Sequence, residues 1–408
     1  MSAPPYRERS LEPVLRQAAK EFPAIVLTGP RQSGKTTLLG HLFGKTHRRV
    51  SLEPENVRLA AMQDPRGFLA GFPPPVFFDE VQYAPSLFPY LKEEIDKHRH
   101  RSGQYLLTGS QNLQLLQNVT ESLAGRAAIF TLLPLSAREI SKELRRPFSW
   151  ESAARSSLEN AWPRHRLWEQ IVRGSYPEIA TSRRKLLSMW HSSYVQTYLE
   201  RDVRSLRQVG DLTSFQVFLR ALAAQHGQLL DLTHLSGNIG VSLNTAKAWL
   251  SVLEATHQVV ILRPYYGNLK KRLVKTPKVY FTDSGTLCYL VDLQGAGHAA
   301  SGPMAGALWE GFVLLDIYKT FLHRGETPRV YFWRTSDGHE VDIIVEHAGR
   351  LVPIEVKATA TPKPAMAKDV RLFQELFGSM AAPGYVVHTG SERLPLGPGV
   401  TALPFRLL

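Results

Sequence analysis

Short apolar runs alternate with amphipathic segments over the first 140 residues. Five of these runs have the length of buried strands, at 24–28, 49–52, 76–78, 104–108 and 128–133. Between them, apolar residues recur at helical spacing, most clearly at 11–22, 38–44 and 86–99. Strands that alternate with helices are typical of a parallel sheet covered on both faces. Residues 1–140 are therefore predicted to form an α/β domain.

The pattern changes beyond residue 140. Strand signals stop over 141–225, where long helical patterns predict a helical lid. Residues 226–294 predict two helices followed by two strands, at 232–240, 243–255, 259–263 and 278–282. This order is that of a winged helix–turn–helix, with Ser242 as the N-cap of the second helix.

Residues 295–408 predict a compact α/β unit at the end of the chain. The Gly/Ala-rich stretch 295–306 predicts a linker. After it, the apolar pattern predicts a helix, three strands, a second helix and a further strand, at 304–323, 330–334, 340–346, 351–357, 365–377 and 384–389.

Composition narrows the class of protein. The 49 basic and 36 acidic residues leave a formal net charge of +13, which favours a polyanionic partner such as nucleic acid. The single cysteine, Cys288, excludes a disulfide framework and favours a reducing compartment. The longest uncharged segment, 102–120, carries four glutamines and two asparagines and is too polar to span a membrane. With no apolar leader at the N-terminus, a cytoplasmic protein without membrane contact is expected.

A phosphate-binding loop follows the first predicted strand. Residues 29–36, GPRQSGKT, fit the pattern GxxxxGK[ST] in full, and a helix is predicted directly after them. Backbone N–H groups of such a loop close around phosphate oxygens at the helix N-terminus. Lys35 is predicted to reach the β- and γ-phosphates of ATP, and Thr36 to place its hydroxyl on Mg²⁺. The residues predicted to bind nucleotide here are Gly29, Pro30, Arg31, Gln32, Ser33, Gly34, Lys35, Thr36 and Thr37.

Two carboxylates end the third predicted strand, VFFDE. Asp79 is placed to hold the Mg²⁺ shell, and Glu80 to accept a proton from the attacking water. A carboxylate directly after the metal-binding one favours ATP hydrolysis over a small-molecule kinase. Ser110 follows the next strand and offers a polar side chain that senses the γ-phosphate.

Arg126 precedes the fifth predicted strand. An arginine there can complete the active site of a neighbouring subunit by neutralising charge in the transition state. It can equally serve in a surface salt bridge. The catalytic interpretation requires a homo-oligomer, for which a hexameric ring is a candidate.

These motifs resemble those of a known family. GPRQSGKTT, FFDEVQ, LLTGSQN, LAGRAAIFTLLPLSAREI and RGSYPEI are similar to the motifs of prokaryotic AAA+-type P-loop ATPases that carry a C-terminal domain of unknown function. The resemblance covers nearly the whole chain, because YVQTYLERDV and KVYFTDSG also fit it. It implies the roles given above for Lys35, Thr36, Asp79, Glu80, Ser110 and Arg126. Two departures are mild: Gly174-Ser-Tyr-Pro177 stands for Gly-Gly-Tyr-Pro, and Asp283-Ser-Gly285 for Asp-Thr-Gly.

The predicted winged helix carries a basic loop. Between Glu254 and Asp283 there are six basic residues and no acidic one. In such a module the second helix enters a major groove of DNA while the wing contacts phosphates. The residues predicted to contact DNA are Ser242, Asn244, Thr245 and Lys247 on the helix, and Lys270, Lys271, Arg272 and Lys275 in the loop. The alternative is a winged helix that packs between subunits and leaves its basic loop solvated.

The C-terminal unit carries a carboxylate pattern, Asp342 followed by Glu355-Val-Lys357, that looks like the core of restriction-endonuclease-like nucleases. Glu355 and Lys357 share one face of a strand because side chains repeat every two residues. Two carboxylates can hold Mg²⁺ while the lysine orients water, and Glu310 on the preceding helix is a further acidic candidate. Val341 stands where proline is usual. An active nuclease and an inactive relic that clamps DNA or supports assembly both remain open.

The sequence as a whole predicts an α/β protein: a P-loop AAA+-type ATPase domain with a helical lid, a winged helix–turn–helix, and a restriction-endonuclease-like domain. Its expected function is to move or remodel DNA with ATP and Mg²⁺. An ATP-regulated metal-dependent endonuclease is one alternative. Another is a nucleotide-dependent signalling or antitoxin-like switch that acts through protein contacts.

Overall fold

The N-terminal unit is a parallel sheet with helices on both faces. The computed structural model describes residues 6–109, 121–152, 164–182, 186–199, 211–266 and 274–408. The strands are β1 (Ala24–Thr28), β2 (Arg48–Ser51), β3 (Val76–Asp79), β4 (Tyr105–Thr108) and β5 (Ala127–Thr131). The helices are α1 (Glu12–Glu21), α2 (Lys35–Phe43), α3 (Glu55–Gln63), α4 (Pro65–Gly71), α5 (Leu87–Lys97) and α6 (Ala137–Ser141).

The order of strands in this sheet is β2-β3-β4-β1-β5, and all neighbours are parallel. Strand β1 is central and buried at every position. Ala24 and Val26 belong to the core on one face of the sheet, and Ile25 and Leu27 to the core on the other. This confirms the predicted α/β sheet, because a strand covered on both faces needs an unbroken apolar run.

The helical segment predicted over 141–225 contains no strand in the part that the structure describes. Its helices are α7 (Arg164–Arg173), α8 (Pro177–Ala180), α9 (Leu187–Tyr194), which continues as a π-helical turn (Val195–Leu199), and α10 (Leu212–Ala224). Next come α11 (Leu232–Ile239), α12 (Leu243–Ala255), β6 (Val259–Leu262), β7 (Lys278–Phe281) and α13 (Ser284–Leu290). Strands β6 and β7 are antiparallel, and the Ser242 hydroxyl caps α12 by accepting a hydrogen bond from Thr245 N.

The prediction of a linker at 295–306 is wrong. Residues Ala296–Ser301 form helix α14, and α15 (Ala305–His323) begins four residues later. Ala299 is buried, and α14 packs against α7. The small residues that suggest a linker instead allow close packing, and alanine is the best helix former.

The C-terminal unit is a mixed six-stranded sheet with order β12-β13-β11-β10-β9-β8. Its elements are β8 (Val330–Arg334), β9 (Glu340–His347), β10 (Arg350–Lys357), α16 (Lys368–Phe377), β11 (Gly384–His388), β12 (Leu394–Pro395) and β13 (Val400–Pro404). The residues after β6 extend this sheet, because Tyr265 N donates to Phe332 O at 2.7 Å. One hydrophobic core runs from Phe148 to Leu408 and joins the helical segment, the β6–β7 pair and the C-terminal sheet.

Candidate functional site

The phosphate-binding loop lies between β1 and α2, where the sequence places it. Gly29 (φ 140°) and Gly34 (φ 96°) have backbone angles that favour glycine. A Cβ on Gly29 would come within 2.2 Å of the Leu132 carbonyl oxygen. The loop therefore needs glycine at this position to keep its shape.

Two polar groups of the loop are enclosed by protein. The Lys35 ammonium donates hydrogen bonds to Gly29 O and Pro30 O, both at 2.9 Å. The Ser33 hydroxyl is buried and has no hydrogen-bond partner among the described residues. An ammonium, an orphaned hydroxyl and a helix N-terminus together form an environment that suits a phosphate group.

Asp79 sits beside Thr36 at the end of β3. Its Oδ1 accepts hydrogen bonds from Thr36 Oγ1 at 3.0 Å and from Thr108 Oγ1. Its Oδ2 accepts from Arg49 Nη2 at 2.6 Å and from Arg49 Nε at 3.1 Å. A carboxylate and a hydroxyl at this spacing are the oxygen ligands that Mg²⁺ prefers. Sequence reasoning missed Arg49 and Thr108, whose link to Asp79 depends on the order of strands.

Glu80 follows Asp79 in the left-handed conformation (φ 58°). Its Oε2 accepts a hydrogen bond from Gln82 Nε2 at 2.5 Å, and its backbone N donates to Thr108 Oγ1 at 3.4 Å. A carboxylate in this position can receive a proton next to the phosphate-binding loop.

A cavity of about 340 Å³ lies beside the loop. It is bounded by the N-terminal segment, the start of α2 and helix α8, through residues that include Tyr6, Arg9, Gln32, Thr37, Pro177 and Thr181. The predicted nucleotide-binding residues Gln32 and Thr37 thus line it. Pro177 Cγ lies 3.8 Å from the position of a Cβ on Gly34, so the helical segment closes over the loop.

A buried ion network, which sequence reasoning missed, ties the N-terminal segment to the loop. Arg9 donates to Ser33 O at 2.9 Å, to Leu133 O at 2.7 Å and to Glu139 Oε1 at 3.0 Å. Glu139 is fully buried. Burial alone would raise its pKa, but the Arg9 guanidinium outweighs this effect and holds the pKa far below the usual value. His323 Nδ1 lies 3.0 Å from Glu139 Oε2, so the last residue of α15 joins this network.

The two motifs that depart from the family pattern meet in space. Asp283 Oδ1 accepts hydrogen bonds from Ser175 N at 2.6 Å and from Ser175 Oγ at 2.9 Å. The Lys319 ammonium donates to Ser175 Oγ at 2.8 Å, and burial lowers the pKa of Lys319 to about 8. The serine at 175 thus supplies a hydroxyl that links α15 to the segment after β7.

Arg126 lies at the opposite edge of the sheet from the phosphate-binding loop. Its carbonyl oxygen accepts from Ala24 N at the start of β1, whereas the loop follows the end of that strand. Five strand residues separate the two edges by about 16 Å. The guanidinium pairs with Asp96, with Nε 2.7 Å from Oδ1 and Nη2 3.0 Å from Oδ2. Arg126 therefore lies too far from the phosphate-binding loop of its own chain to contact it.

The residues predicted to contact DNA divide into three groups. Asn244, Lys247 and Lys275 are exposed. Ser242 and Thr245 bond to each other at the start of α12, where their hydroxyl oxygens are 2.8 Å apart. Lys270, Lys271 and Arg272 lie outside the described residues, as does Ser110, the predicted γ-phosphate sensor. Lys278, one of the six basic residues of the predicted wing, is buried at 4% exposure and faces the protein interior.

The C-terminal carboxylates come together as the sequence predicts. The register of β9 and β10 places Asp342 opposite Glu355, and Lys357 Nζ is 2.5 Å from Glu355 Oε1. Burial and the neighbouring carboxylates raise the pKa of Asp342 well above its usual value, and burial raises the pKa of Glu355 to about 7. Glu310 on α15 is close enough for its charge to act on both. Among the described residues, no three Asp, Glu, His or Cys side chains are grouped as ligands of one metal ion.

Three family models match successive parts of the chain. A family described as an AAA domain matches residues 21–141, which contain the phosphate-binding loop and both carboxylates of β3. Domains of unknown function, DUF8612 and DUF4143, match residues 164–296 and 305–408. The N-terminal unit is thus an AAA-type P-loop ATPase domain. No helix of the described ranges has the length and apolar content needed to cross a membrane.

Some solved structures are similar to part of the chain. The Walker-type ATPase paby2304 of Pyrococcus abyssi is 16% identical with a TM-score of 0.44, over 69% of this chain and 94% of that one. The RuvB Holliday junction branch migration motor of Thermotoga maritima is 15% identical with a TM-score of 0.29, over 61% and 88%. TM-scores below 0.5 do not establish a common fold, so no functional conclusion rests on these structures.

Two mycobacterial relatives match nearly the full length. They are named Uncharacterized protein Rv2008c of Mycobacterium tuberculosis and Uncharacterized protein Mb2031c of Mycobacterium bovis. Each is 33% identical over 395 residues, an alignment that covers 96% of this chain and 82% of the relative. The chain therefore belongs to the family of these two proteins, with an AAA-type ATPase domain at its N-terminal end.

Proposed function

We propose that the chain hydrolyses ATP at the loop edge of the N-terminal sheet and uses this reaction to move or remodel DNA. The observation that carries the ATPase assignment is the hydrogen bond from Thr36 Oγ1 to Asp79 Oδ1 at 3.0 Å. It places the two expected Mg²⁺ ligands side by side at the N-terminus of α2.

Residues of the loop and residues at the end of β3 have different roles in hydrolysis. Lys35 exchanges its bonds to Gly29 O and Pro30 O for phosphate oxygens when ATP binds. Thr36 and Asp79 would hold Mg²⁺, which would offset negative charge on the phosphates. Glu80 accepts the proton of the attacking water, and Gln82 holds the Glu80 carboxylate by a hydrogen bond.

Arg126 completes the site of a neighbouring copy in this proposal. Its place at the far edge of the sheet leaves it free to face another subunit, once its guanidinium leaves Asp96. An arginine supplied across an interface typically accelerates phosphoryl transfer by about 10³–10⁵-fold. The working assembly is then a homo-oligomer, with a hexameric ring as the form proposed here.

The proposal that the chain binds DNA rests on its net charge and on exposed side chains near the predicted DNA-binding surface. The net charge of +13 favours a polyanion, and Asn244 and Lys247 stand exposed on the second helix of the predicted helix–turn–helix. Lys275, also exposed, flanks the basic loop. We propose that α12 faces the DNA and that the loop contacts its phosphates.

A second function, metal-dependent cutting of DNA, is favoured by one observation. Asp342, Glu355 and Lys357 converge at the start of β9 and the end of β10. Cutting would appear as Mn²⁺-dependent nicking of supercoiled DNA that Glu355→Ala abolishes while ATP turnover continues.

The ATPase assignment is tested by steady-state ATP turnover of three proteins. Lys35→Ala should lose turnover, because it removes the positive charge that the phosphates need. Glu80→Gln should still bind ATP but hydrolyse it at least about 100-fold more slowly, since the proton acceptor is gone. Wild-type turnover in Glu80→Gln would show that another group acts as the base.

A further inference from the structure

Four carboxylates crowd one region between α15 and the C-terminal sheet. Glu310 comes from α15, Glu340 and Asp342 from β9, and Glu355 from β10. Asp342 and Glu355 are 9% and 7% exposed. Their mutual repulsion in a dry environment is costly unless a cation lies among them. We call these four residues the carboxylate cluster.

A lysine of strand β7 is paired with two members of the carboxylate cluster. Lys278 Nζ lies 3.0 Å from Glu310 Oε1 and 2.5 Å from Glu340 Oε1. The Lys278 side chain is 5% exposed, and the carboxylates raise its pKa above the usual value despite burial, so it is charged. The hydroxyl of Tyr280, two residues further along β7, donates a hydrogen bond to the same oxygen of Glu310.

A divalent cation would find little uncompensated charge here. Arg334 Nη1 lies 2.9 Å from Glu340 Oε2, and Lys357 pairs with Glu355 Oε1. With Lys278, these cations leave about one net negative charge on the carboxylate cluster when its four members are ionised. A carboxylate that is paired with a protein cation attracts Mg²⁺ or Mn²⁺ less strongly, because part of its negative charge is already offset.

One ligand atom stays unused. Glu355 Oε2 is buried and has no hydrogen-bond partner in the described part of the chain. A buried carboxylate oxygen without a partner is costly, and it is the kind of atom that a metal ion takes up. The carboxylate cluster thus combines an unsatisfied oxygen of Glu355 with a lysine ammonium that already pairs with Glu310 and Glu340.

We propose that the Lys278 ammonium, by neutralising Glu310 and Glu340, keeps the carboxylate cluster free of divalent metal. Removal of this ammonium group converts the carboxylate cluster into a binding site for Mg²⁺ or Mn²⁺. If the second function proposed above holds, its Mn²⁺-dependent nicking would appear in Lys278→Gln and be absent from the chain with native Lys278. This inference concerns the C-terminal unit alone and does not depend on ATP hydrolysis.

The test is Mn²⁺ binding to the full chain without nucleotide, measured by electron paramagnetic resonance. Every protein carries Asp79→Asn, so that the proposed Mg²⁺ site at Thr36 is removed. The chain with native Lys278 should bind no Mn²⁺ at the carboxylate cluster. Lys278→Gln, which keeps the side chain's approximate length but loses its charge, should bind one Mn²⁺. Its affinity should exceed any residual binding by the parent at least about tenfold, because a unit positive charge a few ångströms away is gone. Adding Glu355→Gln should weaken that site, and Lys275→Gln is the matched control because this lysine is exposed.

Two results would overturn the proposal. One is Mn²⁺ binding to the chain with native Lys278 that Glu355→Gln removes, because the site would then be open already. The other is a folded Lys278→Gln protein, judged by circular dichroism, that binds no more Mn²⁺ than its parent. If Lys278→Gln does not fold, Lys278→Met is measured in its place, and the chain with native Lys278 remains a test by itself.

Discussion

Replacing Arg9 with methionine should destabilise the ATPase domain strongly. The side chain is 3% exposed and makes three hydrogen bonds, to Ser33 O, Leu133 O and the Glu139 carboxylate. The Glu139 carboxylate would still accept hydrogen bonds from the backbone N–H groups of Ser10 and Ser136, but it would lose its ion pair with the arginine. Breaking one partner of a buried ion pair costs about 3–5 kcal/mol. At a typical slope for a domain of this size, the midpoint of urea unfolding should fall by about 2 M.

The assay must report on the ATPase domain alone. All seven tryptophans lie at residue 150 or beyond, so their fluorescence reports on other parts of the chain. Hydrogen exchange at the amides of β1, which is fully buried, measures the opening of this sheet directly. ATP affinity should also fall, by about tenfold, because the Ser33 carbonyl loses a charged donor inside the phosphate-binding loop.

A double-mutant cycle separates the interaction energy of the ion pair from the other effects of the two substitutions on stability. Arg9→Met with Glu139→Gln should cost at least about 1.5 kcal/mol less than the sum of the single changes, since the second substitution removes the uncompensated charge. Arg16→Met, an exposed arginine on α1, is the control. Two results would refute the claim that the buried pair supports the loop. One is that the losses in free energy of unfolding are additive, and the other is that Arg9→Met is as stable as Arg16→Met.

Two further predictions concern titration and assembly. Burial lowers the pKa of His226 from the ordinary 6.5 to about 3. As the pH falls below 6.5, the His226 ring therefore binds a proton in the unfolded chain but stays neutral in the folded protein. The free energy of unfolding should therefore drop by about 2 kcal/mol more between pH 7 and pH 5 in the wild type than in His226→Gln; equal drops would show that the ring is accessible to protons. Arg126→Ala should bind ATP but hydrolyse it poorly, and mixing it with Lys35→Ala should recover part of the turnover. No recovery at any mixing ratio would assign Arg126 to its salt bridge with Asp96.

The sequence is informative where function depends on local spacing. The loop at 29–36 and the carboxylates at 79 and 80 are contiguous, and the structure places them at one edge of the sheet. Glu355 and Lys357 likewise follow from the two-residue repeat of a strand. These predictions need no knowledge of which strands are neighbours.

The residues that sequence reasoning missed depend on long-range packing. Arg9 and Glu139 are 130 positions apart, and nothing in either local sequence indicates their ion pair. Lys278 stands among basic residues that suggest a solvated wing, yet β7 carries it into the carboxylate cluster. The linker prediction at 295–306 failed because small residues pack closely against α7 as readily as they form a loop.

The central claim is that the chain uses ATP hydrolysis, at the site that contains Lys35 and Asp79, to move or remodel DNA. The most direct test is the rate of ATP turnover with and without duplex, forked and four-way DNA, for the wild type and for a protein with Asn244→Ala and Lys247→Ala. Both side chains are exposed on α12 and are not among the residues that line the cavity beside the phosphate-binding loop, so the basal rate should stay intact. The account predicts that at least one DNA form stimulates the wild type several-fold and the double variant much less. An ATP turnover rate that no DNA form changes would contradict it and favour a nucleotide-dependent switch that acts through protein contacts.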